Sequence, residues 1–405
     1  MATNMSISPE IIASLPKSDL HCHLDGSMRV STLIELAQEQ GVELPSYEVD
    51  GLNELVFKKE YASLSEYLLG FRYTCAALHS FDAIERAAFE LAEDVLKDGV
   101  RYLEVRFAPQ LLVNSGTDCV QTFISVNQGV SRAAGEFNRS AAVKSGEDIP
   151  FEYGIICCAM RNFTSGMGGY FDTLLDVLSC SAKKDVIVTA SKQAVRSAIK
   201  ARDVHGVPVV AFDLAGEEAG YPAGNHFAAY NEAHRNFMRK TVHAGEAYGP
   251  ESIYEAITRC NAERIGHGTF IFEADKIKDP EISDKGAYAD AIADYVATRR
   301  ITVEVCPTSN LQTIPELKGD MSLHPVKKML DYGMSVAVCT DNMLVSHTSV
   351  SQELALVADA CKLDKESFQR LVLAGFKGAF HYGSYADKRK FVKRAADKID
   401  AVFNS

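Results

Sequence analysis

Eight short apolar runs rich in β-branched residues, separated by longer connections in which helical periods recur, set the possible folds of this 405-residue chain. They fall near residues 17–25, 100–107, 152–160, 207–214, 239–244, 263–267, 301–306 and 334–340. Ahead of the second run, Phe81, Ile84, Ala88, Leu91 and Val95 recur at helical spacing, and Asp98-Gly99 stops that helix before Val100 opens the strand. Strands that alternate with helices pair in parallel through crossovers, and eight of them predict a closed (β/α)8 TIM barrel, an α/β fold, rather than an open sheet. An open doubly wound sheet would want a glycine-rich phosphate turn after its first strand, and the sequence has neither GxGxxG nor a Walker loop. No linker divides the chain, and 47% hydrophobic residues are ample for a core, so residues 1–405 are expected to form one barrel domain with additional helices over its C-terminal mouth.

Several local expectations follow. The polar start, residues 1–9, reads as loose, and residues 138–148 read as a loose surface insertion before the third strand. Thr32 followed by Glu35 reads as a capping box for the helix after strand one. Residues 57–71 have two open readings, a lid over the barrel mouth or a peripheral amphipathic helix.

Within this frame the chemistry concentrates at strand ends. His21 and His23 are two residues apart, so in a strand they project from one face, with Cys22 and Leu24 on the other; Asp25 continues their parity just before Gly26 lets the chain turn. His243, His267 and Asp341 close later runs, and Glu246 lies three residues past His243. In a β/α barrel the reactive groups come from the C-terminal ends of several strands, which is where these residues fall. His21, His23, His243 and Asp341 supply nitrogen and oxygen ligands of the kind zinc prefers; iron, manganese and cobalt remain open on residue identity. Glu246 is the natural proton shuttle, against the structural reading of a helix N-terminal charge. His267, between Gly266 and Gly268, would either take a proton from water or hold the resulting hydroxide. His79, His205, His226, His234, His347 and His381 are expected to be structural.

The net charge of −12 argues against nucleic acid or an anionic membrane as partner, because phosphate neutralisation requires clustered Lys and Arg. No stretch of eighteen apolar residues and no secretion signal are seen, and ten cysteines without disulfide-like or CxxC spacing suit a reducing cytoplasm. Nothing in the sequence sets an oligomeric state.

Six motifs in order, HCHLDG, DLAGEE at residues 213–218, HAGE, ERIGHG, EVCPTSN at 304–310 and CTDN, resemble the adenosine deaminases, a metal-dependent family of adenosine and AMP deaminases in the amidohydrolase superfamily. The resemblance runs from strand one to strand eight and covers nearly the whole chain. It implies that His21, His23, His243 and Asp341 bind one Zn2+ per chain and that Glu246 protonates N1 of a purine. It implies further that His267 and Asp341 orient and deprotonate the attacking water, with hydroxide adding to C6 before ammonia leaves. Gly216 would offer its N–H to purine N3, Asp25 would hold a ribose hydroxyl, and Leu64, Tyr67 and Leu68 match the family's apolar gate. The expected reaction is hydrolytic deamination of adenosine and 2′-deoxyadenosine in purine salvage, with a small-molecule nucleoside as the partner.

One position departs from the family pattern. Where a second Asp followed by Pro is common, this chain has Asn342 and Met343. A carboxyl group facing purine N7 must be protonated to donate to it, whereas an amide always carries donor hydrogens, so Asn342 is expected to keep the N7 contact. The competing expectation is a different 6-aminopurine substrate, such as aminodeoxyfutalosine or methylated adenylate. A non-catalytic barrel scaffold is the alternative from another class; it would be expected to lose a ligand or the shuttle Glu, and none is lost.

Overall fold

A computed structural model describes residues 7–62, 64–113 and 118–404; the side chains of residues 64 and 65 also lie outside what it describes. The eight strands are β1 Lys17–His23, β2 Val100–Phe107, β3 Glu152–Met160, β4 Val209–Ala215, β5 Arg239–Ala244, β6 Arg264–His267, β7 Thr302–Val305 and β8 Ser335–Val338. Their spatial order is their chain order, and every pair that joins neighbours is parallel. The circle is closed just past the end of β8, where the Asp341 N–H donates to His21 O at 2.7 Å and the His23 N–H to Asp341 O at 2.7 Å. The expected (β/α)8 barrel is therefore the observed fold. Among the described residues, no helix is long and apolar enough to cross a membrane.

Strand alternation separates two kinds of core. Leu20, Cys22 and Leu24, and in β2 Leu103, Val105 and Phe107, are fully or almost fully buried in the main apolar cluster. The residues between them are polar, and several of their partners lie on strands that are not their neighbours. Arg106 of β2 donates to Asp213 Oδ2 of β4 at 2.7 Å and to Glu304 Oε2 of β7 at 2.8 Å. Arg264 of β6 donates to Glu304 Oε1 at 2.6 Å and pairs with Glu104 of β2. Bonds between non-neighbouring strands can only run through the interior, which is thus a closed ionic network where such barrels usually stack Val, Ile and Leu. Guanidiniums are suited to this, since the planar fork satisfies several acceptors at once.

Three local expectations need correction. The helix after β1 is Val30–Gln40 with Arg29 as its N-cap residue and no side-chain cap. Thr32 is therefore inside the helix and gives its hydroxyl to Glu90 at 2.5 Å, while Glu35 pairs with Arg86 at 2.6 Å, so the Thr32–Glu35 capping box does not form. Residues 138–148 are not loose. Asn138 exchanges two bonds with the Phe151 backbone, residues Ala141–Ser145 form a short helix, and Asp148 pairs with Arg101 at 2.6 Å. At the chain start, residues 1–6 lie outside the described residues, whereas Ser8 caps the helix Pro9–Ser14.

Candidate active site

The ends of β1, β5, β6 and β8 bring His21, His23, His243, His267 and Asp341 together. His21, His23, His243 and Asp341 each offer one ligand atom, and these atoms lie within 4.8 Å of one another. Their shortest separations are 3.3 Å between His23 Nε2 and His243 Nε2, 3.4 Å between His21 Nε2 and Asp341 Oδ1, and 3.5 Å between His23 Nε2 and Asp341 Oδ1. Ligand atoms at about 2.0–2.2 Å from an ion in a tetrahedral arrangement are about 3.3–3.6 Å apart, so these three separations fit a small metal ion.

The surrounding carboxylates make that match chemical as well as geometric. Glu304 Oε2 is 2.7 Å from His21 Nδ1, and Asp213 Oδ2 is 3.0 Å from His243 Nδ1. Each carboxylate holds the proton on Nδ1, which leaves Nε2 of each ring as a lone pair facing the cluster. His21 Nε2 is buried with no hydrogen-bond partner. Burial, opposed by the Asp341 carboxylate and reinforced by His21 and His243, pushes His23 well below the ordinary histidine value, so its ring is neutral. Burial alone would raise the Asp341 carboxyl, but His21, His267 and His23 outweigh it and hold the acid well below the carboxylate range. Three ring nitrogens and a carboxylate oxygen converge on one point, a donor set that suits a divalent cation.

Two residues of the cluster, His267 (φ 63°) and Asp341 (φ 62°), take left-handed backbone conformations. Each costs on the order of 1–3 kcal/mol and persists only where the surroundings impose it. For Asp341 those surroundings include the two bonds that close the barrel and the Ser309 hydroxyl, which donates to Oδ2 at 2.6 Å.

Glu246 lies in the turn after β5, half-buried, with Oε2 3.9 Å from His267 Nε2. Asp25 follows β1, and its Oδ1 is buried without a partner; burial raises its carboxyl to about 6, and the Cys75 thiol approaches Oδ2 at 3.5 Å. Gly216 directly follows β4 with φ 93°, a conformation that favours glycine and leaves the backbone open at the strand end. Asn342 is buried between Gly26 and Tyr67. A Cβ on Gly26 would stand 1.9 Å from Asn342 Oδ1, so only glycine leaves room for the amide. Asn342 Nδ2 donates to Tyr67 Oη at 2.8 Å, and Oδ1 has no partner.

Tyr67 belongs to the helix Leu64–Ala77 and also meets Ser346 Oγ at 3.0 Å. Tyr61 Oη donates to Val345 O at 2.8 Å, and Gln312 Nε2 to Lys59 O at 3.1 Å, which ties this segment to the loop after β8 and to the helix Pro307–Thr313 after β7. Of the two readings of this segment, these bonds favour a cover over the mouth. Leu68 is 38% exposed on the same helix, and the side chain of Leu64 lies outside the described residues.

Several contributors to the site are not apparent from motif spacing. Glu104, Arg106, Asp213, Arg264 and Glu304 carry the ionic network behind the histidines; the signal is a charged residue at alternate positions of an otherwise apolar strand, as in Glu104 and Arg106 of VRYLEVRF. Asn310 and His324 stand behind His267, with Asn310 Nδ2 3.0 Å from His267 Nδ1. His324 gives no sequence signal, since no strand or paired ligand accompanies it. Other histidines have structural partners: His226 meets Ser191 at 2.6 Å, His347 the Phe57 carbonyl at 2.5 Å and His381 Glu152 at 2.5 Å.

Comparison with known proteins agrees with this architecture. The family model described as adenosine deaminase matches residues 16–400. The adenosine deaminase of Mycolicibacterium vanbaalenii is 35% identical over 372 residues, 91% of each chain. A probable adenosine deaminase of Dictyostelium discoideum is 34% identical over 93% of this chain, which spans 42% of that longer protein. Among solved structures, an amidohydrolase with bound Zn from Burkholderia ambifaria superposes with a TM-score of 0.76 at 20% identity, covering 100% of this chain and 96% of the other. The N6-methyl-AMP deaminase of Arabidopsis thaliana superposes with a TM-score of 0.70 at 25% identity, covering 96% of this chain and 98% of the other. By a match over almost all of its length, the chain belongs to the adenosine deaminase family.

Proposed function

We propose that the protein is a zinc-dependent hydrolase that converts adenosine and 2′-deoxyadenosine, with water, to inosine and 2′-deoxyinosine plus ammonia, a step of purine salvage in the cytoplasm. The observation that carries this reading is the convergence of His21, His23, His243 and Asp341 on one point, with Glu246 and His267 beside it. These four residues would hold the zinc. The chemistry supplied by bound zinc is the acidification of water to a pKa of about 7.

The remaining work falls to the chain's own groups. An aromatic amine is a poor leaving group, so the ring must be protonated as the nucleophile adds, and Glu246 is the acid placed to protonate N1. His267 and Asp341 orient the water that attacks C6. When the tetrahedral centre collapses, the amine takes up the proton shed by the attacking water, the C6–N bond breaks and ammonia leaves. Gly216 would offer its backbone N–H to N3, and the unpartnered Asp25 Oδ1 would accept from a ribose hydroxyl. Asn342 Nδ2 carries a second hydrogen beyond the one given to Tyr67, which is available to N7. Leu64, Tyr67 and Leu68 would form the cover that keeps bulk water out.

A second reading, another 6-aminopurine nucleoside derivative such as aminodeoxyfutalosine or methylated adenylate, is favoured by the likeness to the Arabidopsis N6-methyl-AMP deaminase. A phosphorylated substrate would bring its dianion toward the ribose end of the site, where the polar group proposed here is the acid Asp25. Incubating the zinc-loaded protein with adenosine, 2′-deoxyadenosine, adenylate, N6-methyladenylate and adenine, with products read by mass spectrometry, separates the two. Conversion of the two nucleosides supports the main reading, and conversion of a nucleotide alone replaces it with the second.

A further inference from the structure

Behind His267, on the side away from the metal cluster, a chain of three polar groups fixes which ring nitrogen carries the proton. It starts from a donor whose direction is not in question, the backbone N–H of Val326, which donates to His324 Nδ1 at 3.1 Å. Nδ1 of His324 therefore presents a lone pair. His324 is 4% exposed, and burial, with His267 nearby, lowers it to about 4, so the ring is neutral and its one proton sits on Nε2. Nε2–H meets Asn310 Oδ1 at 3.2 Å. An amide with its oxygen committed there presents its nitrogen at the other end, and Asn310 Nδ2 is 3.0 Å from His267 Nδ1. The amide nitrogen only donates, so His267 Nδ1 accepts. The proton of a neutral His267 then lies on Nε2, the nitrogen 3.9 Å from Glu246 Oε2. Turning the Asn310 amide round would set its NH2 against the His324 Nε2–H, and changing the His324 tautomer to relieve this would set an Nδ1–H against the Val326 N–H.

We propose that His324 is a positioning residue which, through Asn310, fixes His267 as its Nε2–H tautomer, so that His267 enters the reaction as a hydrogen-bond donor to the nucleophile and not as its base. Of the two roles open to His267, this selects the holding of hydroxide and leaves the water's proton to the carboxylates of the site. Helix Pro307–Thr313 then has two separate duties, since Ser309 orients the Asp341 carboxylate and Asn310, one residue on, orients His267. The catalytic consequence rests on the deaminase reading, whereas the tautomer does not.

The test is long-range 1H–15N correlation spectroscopy on the zinc-loaded protein labelled at histidine nitrogen, with His267→Gln assigning the His267 signals. The expected spectrum shows a protonated Nε2 and an unprotonated Nδ1 for His267; the reverse pattern overturns the proposal. His324→Phe keeps a ring but removes both the donor and the acceptor. It is expected to lower kcat by about 10- to 100-fold and to abolish the single-tautomer signature, with KM within about twofold of the parent. His324→Gln, whose amide both donates and accepts, is expected to recover the signature and most of kcat. An unchanged His267 signature with unchanged kcat in His324→Phe overturns the role of His324. The spectrum of the parent protein decides the tautomer even if His324→Phe does not fold, and a protein that turned over no nucleoside would still give that spectrum.

Discussion

Glu218 holds Glu246 by its backbone: the Glu218 Oε2 atom accepts the Glu246 N–H at 3.0 Å. The same carboxylate takes the N–H groups of Gly245, Ala247 and Tyr248 at 2.9, 2.6 and 3.0 Å and also the Ser252 hydroxyl. Four consecutive amides pointing at one buried carboxylate form an anion-binding turn, and here the anion belongs to the protein. The turn that presents the proposed proton shuttle is thus anchored from the segment after β4.

Replacing Glu218 should therefore misplace Glu246 without touching the proposed metal ligands. Glu218→Gln puts an amide NH2 among N–H donors and is expected to lower kcat by about 100-fold, with zinc content unchanged. Parallel steady-state kinetics and metal analysis check this, and an unaltered kcat would show that the turn holds itself.

Glu246→Gln removes the proton and leaves the shape. The variant should retain zinc and bind substrate, yet lose about 100- to 10,000-fold in kcat. Single-turnover rates together with a binding measurement separate the two effects, and normal turnover would overturn the role of Glu246.

The interior network makes a prediction about stability. Glu304 receives His21, Arg106, Arg264 and Thr241, and although burial would raise its carboxyl, the two guanidiniums hold it well below the usual range. Glu304→Gln removes one partner from two buried guanidiniums and should cost about 3–5 kcal/mol in denaturant unfolding. It should also weaken zinc binding by about 10- to 100-fold, because the His21 ring loses its orienting carboxylate.

This network shows where the sequence was legible and where it was not. Strand positions follow from short apolar runs, and the ends of the observed strands agree with them to within two residues. The meeting of His21, His23, His243 and Asp341, which could hold a metal, follows from the parity of His21 and His23 and from polar residues at strand ends. Arg106 and Glu304 are harder to place because a charge in a buried strand is understood only with its partner, and here the partners come from several other strands of the barrel. The Thr32–Glu35 box failed for a related reason: Thr32 has a tertiary acceptor in Glu90, and Arg29 begins the helix earlier. His324 acts through Asn310 over a contact that no local pattern encodes.

A buried acid away from the metal ligands gives a pH prediction. Burial raises Glu353 to about 7, against the bonds that it accepts from the Thr308 N–H at 3.0 Å and the Thr348 hydroxyl at 2.5 Å. A folded value above the unfolded one means that its contribution to stability is fully present below about 4.5 and is lost as pH rises through about 7. Glu353→Gln cannot ionise, so its stability relative to the parent should rise across that interval, by about 3 kcal/mol at most. Chemical denaturation at several pH values reads this directly, and a constant difference would contradict it.

Zinc dependence is read by stripping the protein with a chelator, adding zinc back in steps and following adenosine conversion by its ultraviolet absorbance change. No turnover is expected without metal, and the rate should rise linearly until one zinc is bound per chain, with 2′-deoxyadenosine behaving alike. Full turnover by the metal-free protein, or stoichiometric zinc with no conversion of either nucleoside, would contradict the proposed function.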